Sequence, residues 1–226
     1  MSLFAEARVK SELATLQRSF SNAFTALDIA RRKWAKLGKD GKDALANCVN
    51  SQSLHTHLEV ADLPSVLQQS VQAHRGVQMQ VLRARRNAQV ELRSIMGDLE
   101  DIVRGMHTTV TELQAKLNVS KRALGVELLS STRLLHTESA MQLLSRAQAM
   151  VSLHDRELKL RQAVVAEVVG SGRKAALAQS GWDETVRIYL AAWVLEPYLE
   201  EGHSALLCEA LDAEARASPN PGRRRS

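Results

Sequence analysis

Apolar residues recur at helical spacing along most of the chain. In the first block they are three, four or seven positions apart, which places them on one face of a helix. The pattern therefore predicts a first long helix over residues 1–37. The members of its apolar face are Leu13, Leu16, Phe20, Phe24, Leu27, Trp34 and Leu37.

Two glycines, Gly38 and Gly41, follow this block within a run of charged residues. Glycine readily takes the left-handed conformation that ends a helix. We therefore expect the first helix to stop at Leu37. Residues 38–62 are then expected to form a loop that holds one short helix, from Ala44 to Val49.

The longest periodic stretch lies within residues 63–169. Pro64 suits a first helical turn, and the apolar spacing predicts a helix from there to Asn118. At its centre the spacing is close to that of a heptad seam, a pattern typical of helices that pack side by side. The seam residues are Leu92, Ile95, Leu99 and Ile102.

A mixed segment, residues 118–137, predicts a connection with one helical turn at Val126–Leu129. A second long helix is expected from Glu138 to Val169. Its apolar stripe passes through Leu144, Ala147, Val151, His154, Leu158, Arg161, Val165 and Val168, and we assign Leu158 to the same seam.

Residues 170–216 are expected to form a small helical cap. A helix over Trp182–Leu195 should stop before Pro197, because the residue before proline disfavours helical geometry. A last helix is predicted for Ser204–Arg216, and residues 217–226 are predicted to be a disordered basic tail. The fold class expected is all-α: an elongated antiparallel coiled coil or helical bundle with this cap.

Composition supports that fold class. The 226 residues include only 4 prolines and 11 glycines, too few for the turns of a β or α/β protein of this size. Aromatic residues make up 4%, which suits narrow aliphatic seams better than a wide core. No apolar run is long enough to span a membrane, and two cysteines fit a reducing compartment.

The search for catalytic chemistry points away from an enzyme. Neither a phosphate-binding glycine loop nor a nucleophile elbow occurs. Cys48, His55 and His57 are near one another in sequence, but they supply three ligands with no fourth at zinc-site spacing. We predict no catalytic residue, no cofactor and no metal.

Charge permits nucleic-acid binding without indicating it. The formal net charge is +5, from 30 basic and 25 acidic residues. Arginine clusters at 31–33 and 83–86 are interpreted as solvated helix faces, because an aromatic platform for base stacking is missing beside the second. A third cluster, at 223–225, is a weak match to a nuclear-import signal.

The most informative segment runs from Tyr189 to Glu200. It concentrates one of the three tryptophans and both tyrosines in an otherwise aromatic-poor chain. Such residues dominate binding interfaces, and they also serve as internal packing anchors. Both interpretations stay open. The candidate partner-binding residues are Tyr189, Leu190, Trp193, Pro197 and Tyr198.

This segment resembles the C-terminal signature of the cyclin-dependent kinase 2-interacting protein (CINP) family, in which a tyrosine-leucine pair, a tryptophan and a proline-tyrosine pair follow one another. The charged helix before it, Arg156–Arg161 with Val164 and Glu167, is also similar to that family. The resemblance implies a nuclear, and also cytoplasmic, adaptor. Its partners would be cell-cycle or replication kinases, checkpoint factors, or an AAA-ATPase complex of ribosome maturation.

Two other functions are compatible with the residues themselves. One is a coiled-coil tether that associates with copies of itself, as in trafficking or the cytoskeleton. The other is a weak, basic nucleic-acid binder. Neither requires a membrane or a cofactor.

Overall fold

The computed structural model describes residues 3–60, 71–134, 138–170 and 179–199. The prediction of an all-α fold is confirmed, since these residues form helices packed in a bundle and no strand. The predicted helix at 204–216, the basic tail and Pro64 lie outside the described residues. The helices are α1 (Leu3–Val60), α2 (Val71–Leu124), α3 (Val126–Ser131), α4 (Ala140–Gly170) and α5 (Gln179–Leu195).

The first helix does not end where its glycines suggested. Helix α1 continues through Gly38 and Gly41 to Val60, so the predicted stop at Leu37 and the predicted loop at 38–62 are wrong over the described residues. Glycine in a helix interior costs about 1 kcal/mol relative to alanine. Trp193 packs against these two glycines, and this packing offsets the cost.

The connection between the long helices is shorter than predicted. Helix α2 runs past Asn118 to Leu124. It ends at Gly125, which has φ of 86° and donates its N–H to the Lys121 carbonyl at 3.0 Å. A positive φ with an extended ψ of 151° is a conformation that glycine adopts readily and other residues do not. Helix α3 confirms the predicted turn at Val126–Leu129.

Helices α4 and α5 begin and end close to their predicted positions. Ser139 precedes α4, and its N–H donates to the side-chain oxygen of Gln142 at 3.0 Å. The N–H of Gln142 donates back to Ser139 Oγ at 3.4 Å, so that the two residues form a capping box. Helix α5 ends at Leu195, as predicted from the position of Pro197.

The chain divides into two compact units, each containing parts of α1, α2 and α4. Within the described residues, unit 1 comprises residues 3–32, 102–134, 138–156 and 198–199, and it also contains α3. Its core is one aliphatic cluster with two phenylalanines, and Ile102 packs against it. The contributors are Leu16, Phe20, Phe24 and Leu27 of α1, Met106, Val110, Leu113 and Leu117 of α2, Leu129, Leu134, and Ala140, Leu143, Leu144, Ala147, Met150 and Val151 of α4.

Within the described residues, unit 2 comprises residues 33–60, 71–101, 157–170 and 179–197, and it also contains α5. Four of the predicted seam residues, Leu92, Ile95, Leu99 and Leu158, are buried in it. The other buried side chains include Trp34, Leu45, Cys48, Val81, Ala88, Val164, Val168, Val186 and Trp193. No described helix is long and apolar enough to cross a membrane.

Candidate functional site

Trp193 is the anchor that fastens α5 inside unit 2. Its side chain is 1% exposed. The indole Nε1–H donates to the Gly38 carbonyl oxygen of α1 at 2.9 Å. A buried indole needs a hydrogen-bond partner for this group, and the backbone of α1 supplies it. Of the two interpretations of Trp193, a binding residue or an internal packing anchor, its burial supports the second.

Gly41 explains how the indole comes so close to α1. A Cβ atom at this position would lie 2.4 Å from Cζ2 of Trp193 and 3.3 Å from Cγ2 of Ile95. Only a residue without a side chain leaves room for the ring. The Gly38 and Gly41 pair is therefore a notch in a continuous helix, and the burial of a large aromatic ring offsets the low helix propensity of glycine.

Arg161 of α4 lies between two tryptophan rings. Its guanidinium carbon is 4.9 Å from the ring centroid of Trp34 and 4.7 Å from that of Trp193. The side chain is only 1% exposed. Cation–π contacts reach about 2 kcal/mol when the cation is removed from water, and here two rings face the same guanidinium.

Two carboxylates pair with this buried cation. Arg161 Nε donates to Glu157 Oε1 at 3.3 Å, and Nη2 donates to Glu196 Oε1. Glu157 is fully buried, whereas the Glu196 side chain is 30% exposed. A buried charge is tolerated only with such partners.

Glu196 also marks the end of α5. Its backbone φ is 44°, which lies in the left-handed region that residues other than glycine rarely adopt. The residue stands between the last helical position, Leu195, and Pro197. Its side chain pairs with Arg161 of α4, so the ion pair lies at the point where the chain leaves α5.

The opposite side of α5 faces solvent. Ile188 and Leu195, seven positions apart, are 60% and 54% exposed, and Val194 is 49% exposed. Val186 and Trp193, also seven positions apart, are buried. One helix therefore carries a buried face and an exposed apolar face. We name the exposed residues Ile188, Val194 and Leu195 the α5 face.

The other residues of the predicted partner-binding set differ in exposure. Tyr189 and Leu190 are half-buried, and Pro197 is exposed. Tyr198 is 40% exposed. The structure thus separates the internal Trp193 from surface residues of the same segment, and binding of a partner by this set remains a prediction.

Cys48 occupies the core of unit 2 on α1 and has a free thiol. Burial raises the pKa of this thiol, and the weaker opposing effects come from Arg85 and Arg93. His55 is half-buried on the same helix, and the side chain of His57 lies outside the described residues. Within the described residues, no three His, Cys, Asp or Glu side chains are grouped to hold a metal ion.

The arginine–tryptophan sandwich is the feature that sequence reasoning missed. Its members were visible separately: Trp34 lies on the first apolar stripe and Arg161 on the stripe of the second long helix. A charged residue on an apolar stripe, with a glutamate four positions earlier, was the available signal. Nothing in the spacing showed that the two tryptophans meet at this cation.

Comparison with models of known protein families gives no match, and comparison with curated proteins likewise finds no relative. The geometry described above therefore supplies the evidence for function.

Proposed function

We propose that this chain is a non-catalytic adaptor that binds other proteins, and that the α5 face is one of its binding surfaces. The carrying observation is the division of α5 into two sides. Trp193 and Val186 are buried on one side, while Ile188 and Leu195 are more than half exposed on the other. Apolar side chains that are held rigidly at the surface are suited to a protein interface, because little ordering entropy is lost on binding.

The finer proposal follows the resemblance to the CINP family. The residues that carry it come from two parts of the chain, the charged helix before Val164 and the segment around Trp193. These parts meet in the structure, because Arg161 stacks on Trp193. This contact supports a shared structural role for both motifs. We propose a nuclear adaptor whose partners are cell-cycle or replication kinases, checkpoint factors or AAA ATPases.

The test places a photo-crosslinking amino acid at Ile188 or Leu195 of the full-length chain in cells. Val119 in α2 is the matched control site, since it is an apolar residue outside α5 that is 66% exposed. We expect defined protein adducts from the two α5 positions and none in common with the control. Adducts that are identical at all three positions, or none at α5, would contradict the proposal.

Purified variants separate surface effects from folding effects. The Ile188→Ser and Leu195→Ser changes should reduce partner capture without lowering the melting temperature. Trp193→Ala removes a buried anchor and should lower both. If Ile188→Ser and Leu195→Ser leave capture intact, α5 is only a structural helix.

Two alternative functions can be tested with the same purified protein. A self-associating tether requires a homo-oligomer at micromolar concentration in sedimentation, with crosslinks between copies at Ile188. A nucleic-acid binder requires an RNA or DNA shift that weakens steeply with salt. Our proposal expects neither to account for the α5 adducts.

A further inference from the structure

A second periodic stripe runs along α2, on the side away from the core of unit 2. Buried positions such as Val81, Ala88 and Leu92 define the inner side. Exposed positions spaced three or four residues apart define the outer side. Three of them are apolar, with Met79 52%, Leu82 40% and Val90 57% exposed. We name the outer set the arginine stripe: Arg75, Met79, Leu82, Arg83, Arg86 and Val90.

The arginine stripe is cationic and has no acidic residue of its own. Residues 72–90 contain four arginines and no aspartate or glutamate. Arg75, Arg83 and Arg86 form no ion pair or hydrogen bond with any residue that the structure describes. Arg32, by contrast, pairs with Asp28 at 2.7 Å. The stripe therefore presents three unpartnered guanidinium groups among exposed apolar side chains.

An open groove adjoins the stripe within unit 2. It has a volume of about 640 Å³ and is lined by Asp40 of α1 and by Arg86, Val90 and Ile95 of α2, among others. Glu91 of α2 also lines it, and no ion pair joins Asp40 or Glu91 to Arg86. The groove therefore combines two apolar side chains with one guanidinium and two carboxylates, and it suits an apolar side chain of a docked helix rather than a carboxylate.

We propose that the arginine stripe docks an acidic amphipathic helix of a partner protein. The inference rests on the proposed adaptor function and names one chemical class of partner. Apolar side chains of such a helix would pack on Met79, Leu82 and Val90. Its carboxylates would pair with the guanidinium groups, which present a planar fork that fits carboxylates.

Two other anionic partners fit the stripe less well. A helix that lies on a membrane segregates a broad apolar face, with Trp, Phe or Leu, from its basic face. Here arginines and apolar residues share one face, and residues 72–90 contain no Phe, Trp or Tyr. Nucleic acid would neutralise the arginines, but it would leave Met79 and Leu82 unused and find no stacking platform.

The test measures fluorescence anisotropy of a labelled acidic probe with the full-length chain. The probe is a synthetic helix of about four heptads with leucine at the core positions and glutamate beside them. A scrambled peptide of the same composition has equal charge without an apolar face. An equimolar phosphatidylcholine–phosphatidylserine vesicle and a single-stranded RNA complete the set.

Matched variants locate the binding surface. Arg83→Gln with Arg86→Gln removes two charges from the stripe, and Arg8→Gln with Arg18→Gln removes two exposed charges from α1. The first pair should weaken binding of the acidic helix about tenfold, the effect of two exposed ion pairs of ordinary strength. The second pair should change it less than twofold, or about 0.4 kcal/mol. Leu82→Gln should weaken the acidic helix more than the scrambled peptide.

Several outcomes would overturn the inference. Equal affinity for the helical and scrambled peptides would reduce the stripe to a general anion binder. Tighter binding of the vesicle or the RNA would identify a different class of partner. No binding of the acidic helix at about 50 mM salt, where screening is weak, would remove the surface altogether. Defined crosslinks at the α5 face would still stand in each case, so that this failure is distinguishable from failure of the adaptor function.

Discussion

The substitution Gly41→Ala has two opposing effects on stability, a gain in helix propensity and a steric clash, and the structure indicates which is larger. In the interior of an exposed helix, replacing glycine by alanine stabilises a protein by about 1 kcal/mol. At Gly41, however, the new methyl group would lie 2.4 Å from Cζ2 of Trp193, about 1 Å inside ordinary van der Waals contact. The ring cannot turn aside easily, because it is fixed by the hydrogen bond to Gly38 and by the stacked Arg161.

The clash should outweigh the gain in helix propensity. Overpacking a well-filled core costs about 1–3 kcal/mol, and a displaced indole also weakens a buried hydrogen bond worth about 1 kcal/mol. After the gain of about 1 kcal/mol is subtracted, we expect a net loss of about 1–3 kcal/mol. Gly97 is the matched control, because a Cβ there meets nothing within 4 Å. Gly97→Ala should stabilise the protein by about 0.5–1 kcal/mol.

Urea unfolding followed by tryptophan fluorescence measures this difference in the right part of the molecule. All three tryptophans belong to unit 2, as do both glycines. Replacement of glycine by alanine should therefore lower the urea midpoint of unfolding at Gly41 and raise it at Gly97. Equal stabilisation by both substitutions would refute the close approach of Trp193 to α1, and with it the account of why this helix does not stop at Leu37.

Three further outcomes test the core of unit 2. Leu99→Ala, at a fully buried seam position, should destabilise the protein by about 2–5 kcal/mol in urea unfolding, whereas Val90→Ala at the surface should change stability by less than about 0.5 kcal/mol. Similar losses of stability in the two variants would contradict the assigned burial. Arg161→Met removes the buried cation that pairs with Glu157 and should destabilise the protein by about 3–5 kcal/mol; a neutral or stabilising effect in the same assay would contradict this. Because burial raises the pKa of Cys48 and keeps the thiol protonated, a Cys208→Ser variant should react slowly with a disulfide reagent at neutral pH and rapidly in urea; fast labelling of the folded protein would contradict this.

Helix content and seams could be predicted because they depend on local spacing. The apolar stripe through Leu92, Ile95 and Leu99 is buried as the pattern indicated. The end of α5 before Pro197 follows from steric exclusion between neighbouring residues, which requires no tertiary information. His154 and Arg161 lie on the predicted stripe of α4, and both are 1% exposed.

The path of the chain at Gly38 and Gly41 was predicted wrongly for a definite reason. Glycine permits a helix end, but it also permits close approach of another element, and the two uses have the same local sequence signal. The outcome here depends on Trp193, which is 155 positions from Gly38. A pattern of neighbouring residues spans only a few helical turns, so it cannot contain both Gly38 and Trp193.

The spacing of apolar residues, with so few prolines, was sufficient to determine that this chain is helical and which stripes its long helices bury. That follows because helix formation and amphipathicity are properties of neighbouring residues. Only the tertiary structure decided that one cation, Arg161, lies between Trp34 and Trp193, and that Trp193 therefore faces inward while Ile188 and Leu195 face outward. Contacts between distant residues are set by the simultaneous packing of several helices, and the spacing within each helix does not specify them.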